Sequence, residues 1–371
     1  MTKYKKMIIS LVLGTSVSVG AFYLAFRNVP FAELANYITL INYWWILPSV
    51  SVLMLSFALR AVRWQIILNT TCETGDQTRE EIRFWSAFHP LIIGFMLNCI
   101  LPGRVGEVAR PVILQQKNKV PFSTGIATVA AERVLDICVL ITFFAILFAT
   151  VRIDPGIDIP FGEYHLNKET LESIGNGMIK LCIVLIFGII MLSFSRSREL
   201  INGGIMGIPY VFFFASSNSK EKIKEKVCVP VTNFIDNFAI GFELVKFPKK
   251  IIMCIVLSLL IWISSALSYY IMSLGCPGIG LSFMEITAVM IIICFFIALP
   301  SVPGFWGIWE AGGVFALALF GVASKDAAGG FTLANHAVQL FPVVIIGFVS
   351  AAITGVNIWN VSYEKEMPGR N

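Results

Sequence analysis

Charge is scarce in this chain of 371 residues, in which 14% are Asp, Glu, Lys or Arg and 57% are apolar. Histidine occurs three times, and the eight cysteines have neither a paired nor a metal-type spacing. These shortages argue against a nucleic-acid surface and a disulfide framework, and they predict no metal and no cofactor. A mean hydropathy of +0.79 instead indicates a polytopic membrane protein.

The apolar residues fall into eight segments, near 7 to 26, 42 to 60, 84 to 101, 124 to 150, 177 to 195, 251 to 273, 281 to 299 and 330 to 357. A helix needs about 20 residues to cross the hydrocarbon core. Segments 84 to 101 and 281 to 299 both end in Leu-Pro and are followed by short helical pieces, 103 to 116 and 303 to 320. We therefore predict an all-α fold of about six full spans and two opposed re-entrant helical hairpins. Broken backbone of this kind is tolerated only where it is buried in protein or lines a cavity.

Basic residues predict the orientation of these segments, because Lys and Arg collect on cytoplasmic loops. The lysines near the start predict a cytoplasmic N-terminus, and Lys117 and Lys119 predict that the first hairpin returns to the same side. The acidic loop 151–175 is expected outside, whereas the basic insertion 196–250 and the tail 358–371 are expected in the cytoplasm. The predicted location is the inner membrane.

An internal repeat is predicted within this single domain, with one half at 7–150 and the other at 176–357. Each half has three spans, and three is odd, so the halves would be inserted in opposite orientations. The separation along the chain between Glu107 and Arg133 equals that between Glu310 and His336. Inverted repeats with broken helices are typical of alternating-access transporters. The predicted gate or hinge residues are Pro102, Gly103, Gly106, Pro303, Gly304 and Gly307.

Polar and charged residues beside the breaks are the candidate substrate-binding residues. Each charge at membrane depth costs roughly 3 kcal/mol or more unless it is paired or faces water. The arginines and carboxylates could simply neutralise one another, or the guanidinium groups could bind an anionic group such as a lipid phosphate while carboxylates bind a cation or a proton. Both interpretations can hold together. The candidates are Asn98, Arg104, Glu107, Arg110, Glu132, Arg133, Asp136, Glu310 and His336.

Other arginine and tryptophan residues are not counted among the candidate substrate-binding residues. Arg60, Arg63 and Trp64 are read as ordinary anchors at the membrane surface, where the second span ends. Trp306 and Trp309 flank Glu310 and could stack on a ligand or belong to an interfacial belt.

An ordered set of motifs resembles the lysylphosphatidylglycerol synthase transmembrane family, which includes the flippase-like domain of the multiple peptide resistance factor. The motifs are Arg63-Trp64, Asn98, Leu101-Pro102-Gly103-Arg104-Val105-Gly106-Glu107, Arg110, Glu132-Arg133, Asp136, Pro303-Gly304, Gly307 and Glu310. The resemblance covers almost the whole chain. It implies a helical bundle with re-entrant segments that moves a lipid between leaflets.

The synthases of that family carry a large soluble C-terminal aminoacyl-transfer domain, whereas this chain stops at Asn371. We therefore expect no enzymatic activity. The leading hypothesis is a flippase for an anionic or zwitterionic phospholipid or glycophospholipid. Two alternatives remain open: a non-transporting, lipid-binding partner of a lipid synthase or glycosyltransferase, and a secondary transporter of small solutes or ions.

Overall fold

The computed structural model describes residues 3–27, 29–74, 81–102, 104–150, 159–161, 164–166, 194–211, 220–221, 223–240, 243–299 and 301–357, with scattered residues between 177 and 191. These residues are helical apart from short connections and one small hairpin of strands β1 (Ile159–Phe161) and β2 (Tyr164–Leu166) in the predicted external loop. The prediction of a helical membrane protein is confirmed at this level.

The first half contains six helices within the described residues. They are α1 (Lys3–Phe26), α2 (Phe31–Leu40), α3 (Ile46–Thr74), α4 (Phe84–Ile100), α5 (Val105–Asn118) and α6 (Phe122–Thr150). The second half also contains six α-helices within the described residues. Its described helices are α7 (Ser195–Val211), α8 (Val229–Ile240), α9 (Pro248–Leu274), α10 (Phe283–Phe296), α11 (Ile308–Leu319) and α12 (Lys325–Thr354).

Three described helices are long and apolar enough to cross a bilayer, at Tyr43–Thr71, Pro248–Leu274 and Lys325–Thr354. Helix α6 has 29 residues, which is also long enough, but it carries three charges in its first half. The predicted span at 177–195 lies almost entirely outside the described residues. The count of six spans therefore stays a prediction.

Each short segment packs against its successor as a helical hairpin, α4 on α5 and α10 on α11. In the first hairpin the backbones of Gly94 and Gly106 touch, and a Cβ on Gly106 would overlap the Gly94 carbonyl oxygen. The chain turns between Leu101 and Arg104, where Arg104 has a left-handed backbone with φ of 55°. In the second hairpin the turn at Pro303–Phe305 contains Gly304 and Phe305, which also have positive φ. Both turns are thus breaks in regular helix, as the Pro-Gly pattern predicts.

The spacing of helices recurs between the halves. Helices α5 and α6 begin at positions 105 and 122, and helices α11 and α12 begin at positions 308 and 325, so the two pairs have the same offset. Helices α3 and α9, which begin at positions 46 and 248, have nearly that offset as well. Packing recurs too, because α2 lies on α12 and α8 lies on α6. These regularities support the predicted repeat.

The apolar core forms one large cluster in each half. The first is centred on α3 and α4, and the second on α9, α10 and α12. Helices α3 and α9 pack along each other between the clusters. At their contact Ser49 donates to the Ser268 carbonyl oxygen at 2.8 Å, and Ser268 donates to the Ser49 carbonyl oxygen at 3.0 Å. The two reciprocal hydrogen bonds hold α3 and α9 close together at this point.

Candidate functional site

A buried ion-pair network joins α3, α6 and α9. The fully buried Arg63 guanidinium donates from Nη1 to Asp136 Oδ1 at 2.7 Å and to Ser258 Oγ at 2.7 Å. The Trp262 indole donates to the same carboxylate oxygen of Asp136 at 3.2 Å. This set fixes α3 and α9 against α6, because breaking it would leave a charge without a partner inside the bundle.

A second buried pair ties α5 to α6. Arg110 donates to the Glu132 carboxylate, and both side chains are buried. The Arg110 guanidinium lies over the Trp64 ring at 4.1 Å from its centroid, and Trp64 donates to Thr128 Oγ1 at 3.1 Å. Glu132 also faces Arg63, whose Nη2 is 3.5 Å from its Oε1. The two pairs therefore form one network.

The interpretation of Arg60, Arg63 and Trp64 as anchors at the membrane surface is wrong. Arg63 and Trp64 are fully buried, and Arg60 is nearly so. Helix α3 does not end near residue 60 but continues to Thr74. Carboxylates on α6 supply ion-pair partners, so these arginines belong to the interior.

The network has one accessible edge, at Glu107 and Arg133. Their side chains keep 29% and 32% of their surface exposed, and Arg133 Nε lies 3.9 Å from Glu107 Oε1. Arg133 also lies 3.7 Å from Asp136, and Arg60 approaches the same carboxylate at 3.5 Å. The ring of Phe95 lies between the Arg60 and Arg133 guanidinium groups, 5.7 Å from each. A ligand can therefore reach this edge, whereas the buried pairs are closed to it.

Positive charge is in excess in this network. Four guanidinium groups, those of Arg60, Arg63, Arg110 and Arg133, face the three carboxylates of Glu107, Glu132 and Asp136. The Nε atoms of Arg63, Arg110 and Arg133 are buried and have no hydrogen-bond partner. Of these three arginines only Arg133 has a partly exposed side chain, so Arg133 is the one that an anionic ligand can reach.

The two hairpin turns meet beside this edge. Arg104 is exposed and donates from Nη2 to the Ile297 carbonyl oxygen at 3.0 Å, at the end of α10. Helix α4 also contacts the turn at Pro303–Phe305. Asn98 stabilises the first turn by accepting from Gly106 N–H at 2.8 Å. Gly103 lies outside the described residues.

The second half places Glu310 and His336 in contact. Both are fully buried, and His336 Nδ1 lies 2.6 Å from Glu310 Oε1. The other ring nitrogen, Nε2, is 2.8 Å from the Gly304 carbonyl oxygen. Glu310 Oε2 accepts from Gly307 N–H at 2.6 Å. The pair thus forms hydrogen bonds to two residues of the second turn.

Trp306 and Trp309 enclose the imidazole of His336 rather than forming an interfacial belt. The Trp309 and His336 rings are stacked, 4.4 Å apart and 6° from parallel, and the Trp306 ring centroid is 4.3 Å from the imidazole. Trp309 is buried, whereas Trp306 is partly exposed. Trp306 therefore separates the Glu310–His336 pair from the outside.

The structure therefore divides the predicted site residues into three groups. Arg110, Glu132 and Asp136 are buried in mutual pairs, and Arg104, Glu107 and Arg133 are accessible. Glu310 and His336 form a separate pair in the second half.

Four members of the network were not predicted from the sequence, namely Arg60, Arg63, Ser258 and Trp262. One signal was present, because Arg60 and Arg63 lie one helical turn apart within a helix that continues beyond them. Among the described residues no cluster of three or more His, Cys, Asp or Glu side chains could hold a metal ion.

Two archaeal proteins of similar sequence are named only as membrane proteins. The UPF0104 membrane protein MJ1078 of Methanocaldococcus jannaschii is 25% identical over 264 residues, which cover 71% of this chain and 95% of that protein. The UPF0104 membrane protein PH1989 of Pyrococcus horikoshii is 25% identical over 275 residues, covering 71% and 74% of the two chains. No solved structure matches this chain.

The family comparison agrees with the resemblance read from the motifs. The matching family model is described as the lysylphosphatidylglycerol synthase TM region, and it matches residues 7–347, nearly the whole chain. This protein is therefore a multi-pass membrane protein that belongs to the lysylphosphatidylglycerol synthase TM region family.

Proposed function

We propose that this protein is a non-enzymatic flippase that moves an anionic or zwitterionic phospholipid or glycophospholipid between the leaflets of the inner membrane. The observation that carries the proposal is the accessible pair of Glu107 and Arg133, which lies at the edge of a network of four guanidinium groups and three carboxylates. A phosphate group suits this edge because a guanidinium donates two parallel hydrogen bonds to phosphate oxygens. Membership of the family supports a lipid-related role.

The headgroup would bind between the two hairpin turns. Arg133 and Arg104 provide the phosphate donors, and Glu107 provides a carboxylate for a cationic part of the headgroup. The buried pairs Arg63–Asp136 and Arg110–Glu132 hold α3, α5 and α6 in place around that edge. A site built on fixed helices keeps its donors oriented, which lowers the cost of binding.

An apolar cleft favours a lipid over a water-soluble solute. A cleft of about 700 Å³ lies between α1 and the second hairpin turn. Its walls include Val19 and Tyr23, which are exposed on α1, and Trp306 and Gly307 of the turn. An acyl chain can occupy such a cleft while its headgroup stays in the polar interior.

The proposed hinges are the residues on both sides of the two breaks. Pro102 and Gly106 belong to the first turn, and Pro303, Gly304 and Gly307 belong to the second. Gly304 and Gly307 have φ of 74° and 85°, which other residues adopt only at a cost. Two turns that meet and can move separately provide the two gates that alternating access requires.

The test is leaflet-specific quenching of phosphatidylglycerol with a labelled acyl chain in proteoliposomes. Losing a charge-assisted hydrogen bond of about 1.5–3 kcal/mol predicts that Arg133→Gln lowers the translocation rate roughly 10- to 100-fold. Arg133→Lys keeps the charge without the fork, so we expect an intermediate rate.

The matched control is Arg83→Gln, which removes an exposed arginine that precedes α4 and lies apart from the network. We expect its rate to stay within about twofold of the wild type, since isolated exposed charges contribute little. Equal rates in Arg133→Gln and the wild type would refute the arginine site. Lipid binding without translocation would refute the flippase and favour the non-transporting partner.

A further inference from the structure

We propose that Glu310 and His336 bind one exchangeable proton between them and that this proton couples transport to a proton gradient. The proton site is argued from the hydrogen-bond geometry of the pair alone. Its part in driving transport rests on the flippase function proposed above.

The hydrogen-bond network fixes the number of protons on the pair. The Gly304 carbonyl oxygen can only accept, so His336 Nε2 carries a hydrogen. His336 Nδ1 and Glu310 Oε1 are 2.6 Å apart, and two bare lone pairs at that distance would repel, so a second proton lies between them. Gly307 N–H already supplies the hydrogen for Oε2. The pair therefore holds one proton more than a neutral imidazole and a carboxylate would.

The extra proton makes the pair electrically neutral overall. Whether it resides on nitrogen or on oxygen, the charges of Glu310 and His336 sum to zero. Its loss would leave a net negative charge on two side chains with 0% exposure. A buried charge without a partner is costly, so the deprotonated pair needs water or a new donor.

The pair also forms hydrogen bonds to both ends of the second turn. His336 binds the Gly304 carbonyl oxygen and Glu310 binds the Gly307 N–H, and the shared proton joins these two side chains across the turn. Phe305, between Gly304 and Gly307, has φ of 61°, an unfavourable backbone for a side chain of that size. When the contact between imidazole and carboxylate is lost, this strained turn is free to open. Proton release and opening of the second hairpin are therefore linked, and linkage works in both directions.

The charged and titratable side chains around this pair come from several helices. From α9, the Tyr269 ring packs on Trp309 with centroids 6.1 Å apart. Neither Glu310 nor His336 forms an ion pair with any other side chain among the described residues. The other charged or titratable side chains on the described helices that pack here lie outside the hydrogen bonds of the pair; on α1, α4, α9 and α10 they include Tyr23, His89, Cys99, Tyr270, Glu285 and Cys294.

Hydrogen exchange at the second turn tests the proton site without any transport measurement. The reporter is the Phe305 amide, because its hydrogen bond to the Val302 carbonyl oxygen, at 3.1 Å, lies within the turn and is lost when the turn opens. After correction for the intrinsic exchange rate, protection in the wild type should fall with rising pH by up to about tenfold per pH unit, the limit for release of one proton. Glu310→Gln keeps the size of the side chain but cannot lose a proton, so its protection should be independent of pH.

His89→Gln is the matched control, because His89 also stacks on a tryptophan, Trp85, with centroids 5.5 Å apart. It should keep the pH dependence of the wild type. If Glu310→Gln fails to fold, nitrogen NMR of the wild-type imidazoles gives the same answer, since His336 should lose a ring proton as the turn loses protection. Protection that does not change with pH in the wild type, or changes equally in Glu310→Gln, would overturn the proposal.

Transport then separates this proposal from the flippase function. With labelled phosphatidylglycerol, an imposed pH gradient should change the translocation rate of the wild type and leave that of Glu310→Gln unchanged. Translocation that ignores the gradient would overturn the coupling and leave the flippase standing. Turn opening that follows pH without translocation would support the proton site and refute the flippase.

Discussion

In each hairpin a glycine amide near the turn donates a hydrogen bond to a side chain, but the two acceptor groups differ chemically. In the first, the amide of Gly106 donates to the neutral side chain of Asn98. In the second, the amide of Gly307 donates to Glu310, which also faces His336. An amide side chain does not ionise, whereas the carboxylate of Glu310 lies within hydrogen-bond distance of an imidazole. The acceptor in the first turn is therefore neutral, and the acceptor in the second turn belongs to the proposed proton site.

Glu107 and Glu310 follow the two turns at similar positions, and the side chains that they face also differ. Glu107 faces the guanidinium group of Arg133, and both side chains are accessible. Glu310 faces the imidazole of His336, and both side chains are buried. A ligand can reach the first pair but not the second. The two turns thus lie beside pairs that differ in chemistry and in exposure.

The largest expected effect tests how much the first half depends on its buried charges. Replacing Asp136 by Ala would strand Arg63, which is fully buried, and we expect a loss of about 3–5 kcal/mol in the free energy of unfolding. Denaturant unfolding in mixed micelles, followed by circular dichroism, would measure it.

Glu107→Ala is the control for that measurement, because it removes the accessible pair instead. We expect it to cost about 0–1 kcal/mol, as partly exposed ion pairs usually do. Similar losses in both variants would contradict the division of the network into a buried core and an accessible edge.

A medium effect tests the backbone contact within the first hairpin. Gly106→Ala places a methyl group against the Gly94 carbonyl oxygen, which belongs to a helix and cannot move aside freely. Overpacking of this kind costs about 1–3 kcal/mol. The comparison variant is Gly312→Ala in the second hairpin, where the new methyl group would lie 2.9 Å from Phe296 Cβ, a smaller overlap than that with the Gly94 carbonyl oxygen. Thermal unfolding should therefore rank Gly106→Ala as the more damaging, and the reverse order would show that the first hairpin is not the tighter one.

The smallest expected effect concerns the hydrogen bond between Gly106 and Asn98 at the first turn. Asn98→Ala removes the acceptor for Gly106 N–H, which should cost about 1 kcal/mol. Asn98→Asp keeps an acceptor oxygen and should lose less. The loss should not vary with pH in Asn98→Ala, which would be measured by repeating the unfolding at several pH values. A marked pH dependence would remove the contrast between the two turns.

Much of this arrangement could be predicted from the sequence because it depends on local chemistry. A Pro-Gly pair disfavours regular helix more strongly than either residue alone, so both turns were visible at 101–104 and 303–307, whereas Pro90 and Pro111 lie inside helices. The equal separations along the chain predicted that Glu107 corresponds to Glu310 and Arg133 to His336, but they did not predict that the members of each pair are in contact.

The partners of Arg63 could not be predicted in this way. Its contacts Asp136 and Ser258 lie 73 and 195 residues away along the chain. An arginine near the end of an apolar run looks the same in sequence whether it points to water or to a carboxylate on another helix. Only the packing of α3 between α6 and α9 decides between them. The role of Trp306 and Trp309 around His336 depends likewise on how the turn folds back on α12.

The serine contact between α3 and α9 has a mechanical consequence. A hydroxyl both donates and accepts, so Ser49 and Ser268 can exchange partners without leaving a buried group unsatisfied. Gln339 adds a third group of the same kind by donating to Ser268 Oγ at 2.9 Å. The Arg63 network, which also joins α3 to α9 through Ser258, resists rotation, because a buried ion pair must be broken before another forms. The contact between α3 and α9 is therefore rigid at Arg63 and adjustable at Ser49, where the hydroxyl groups stay paired.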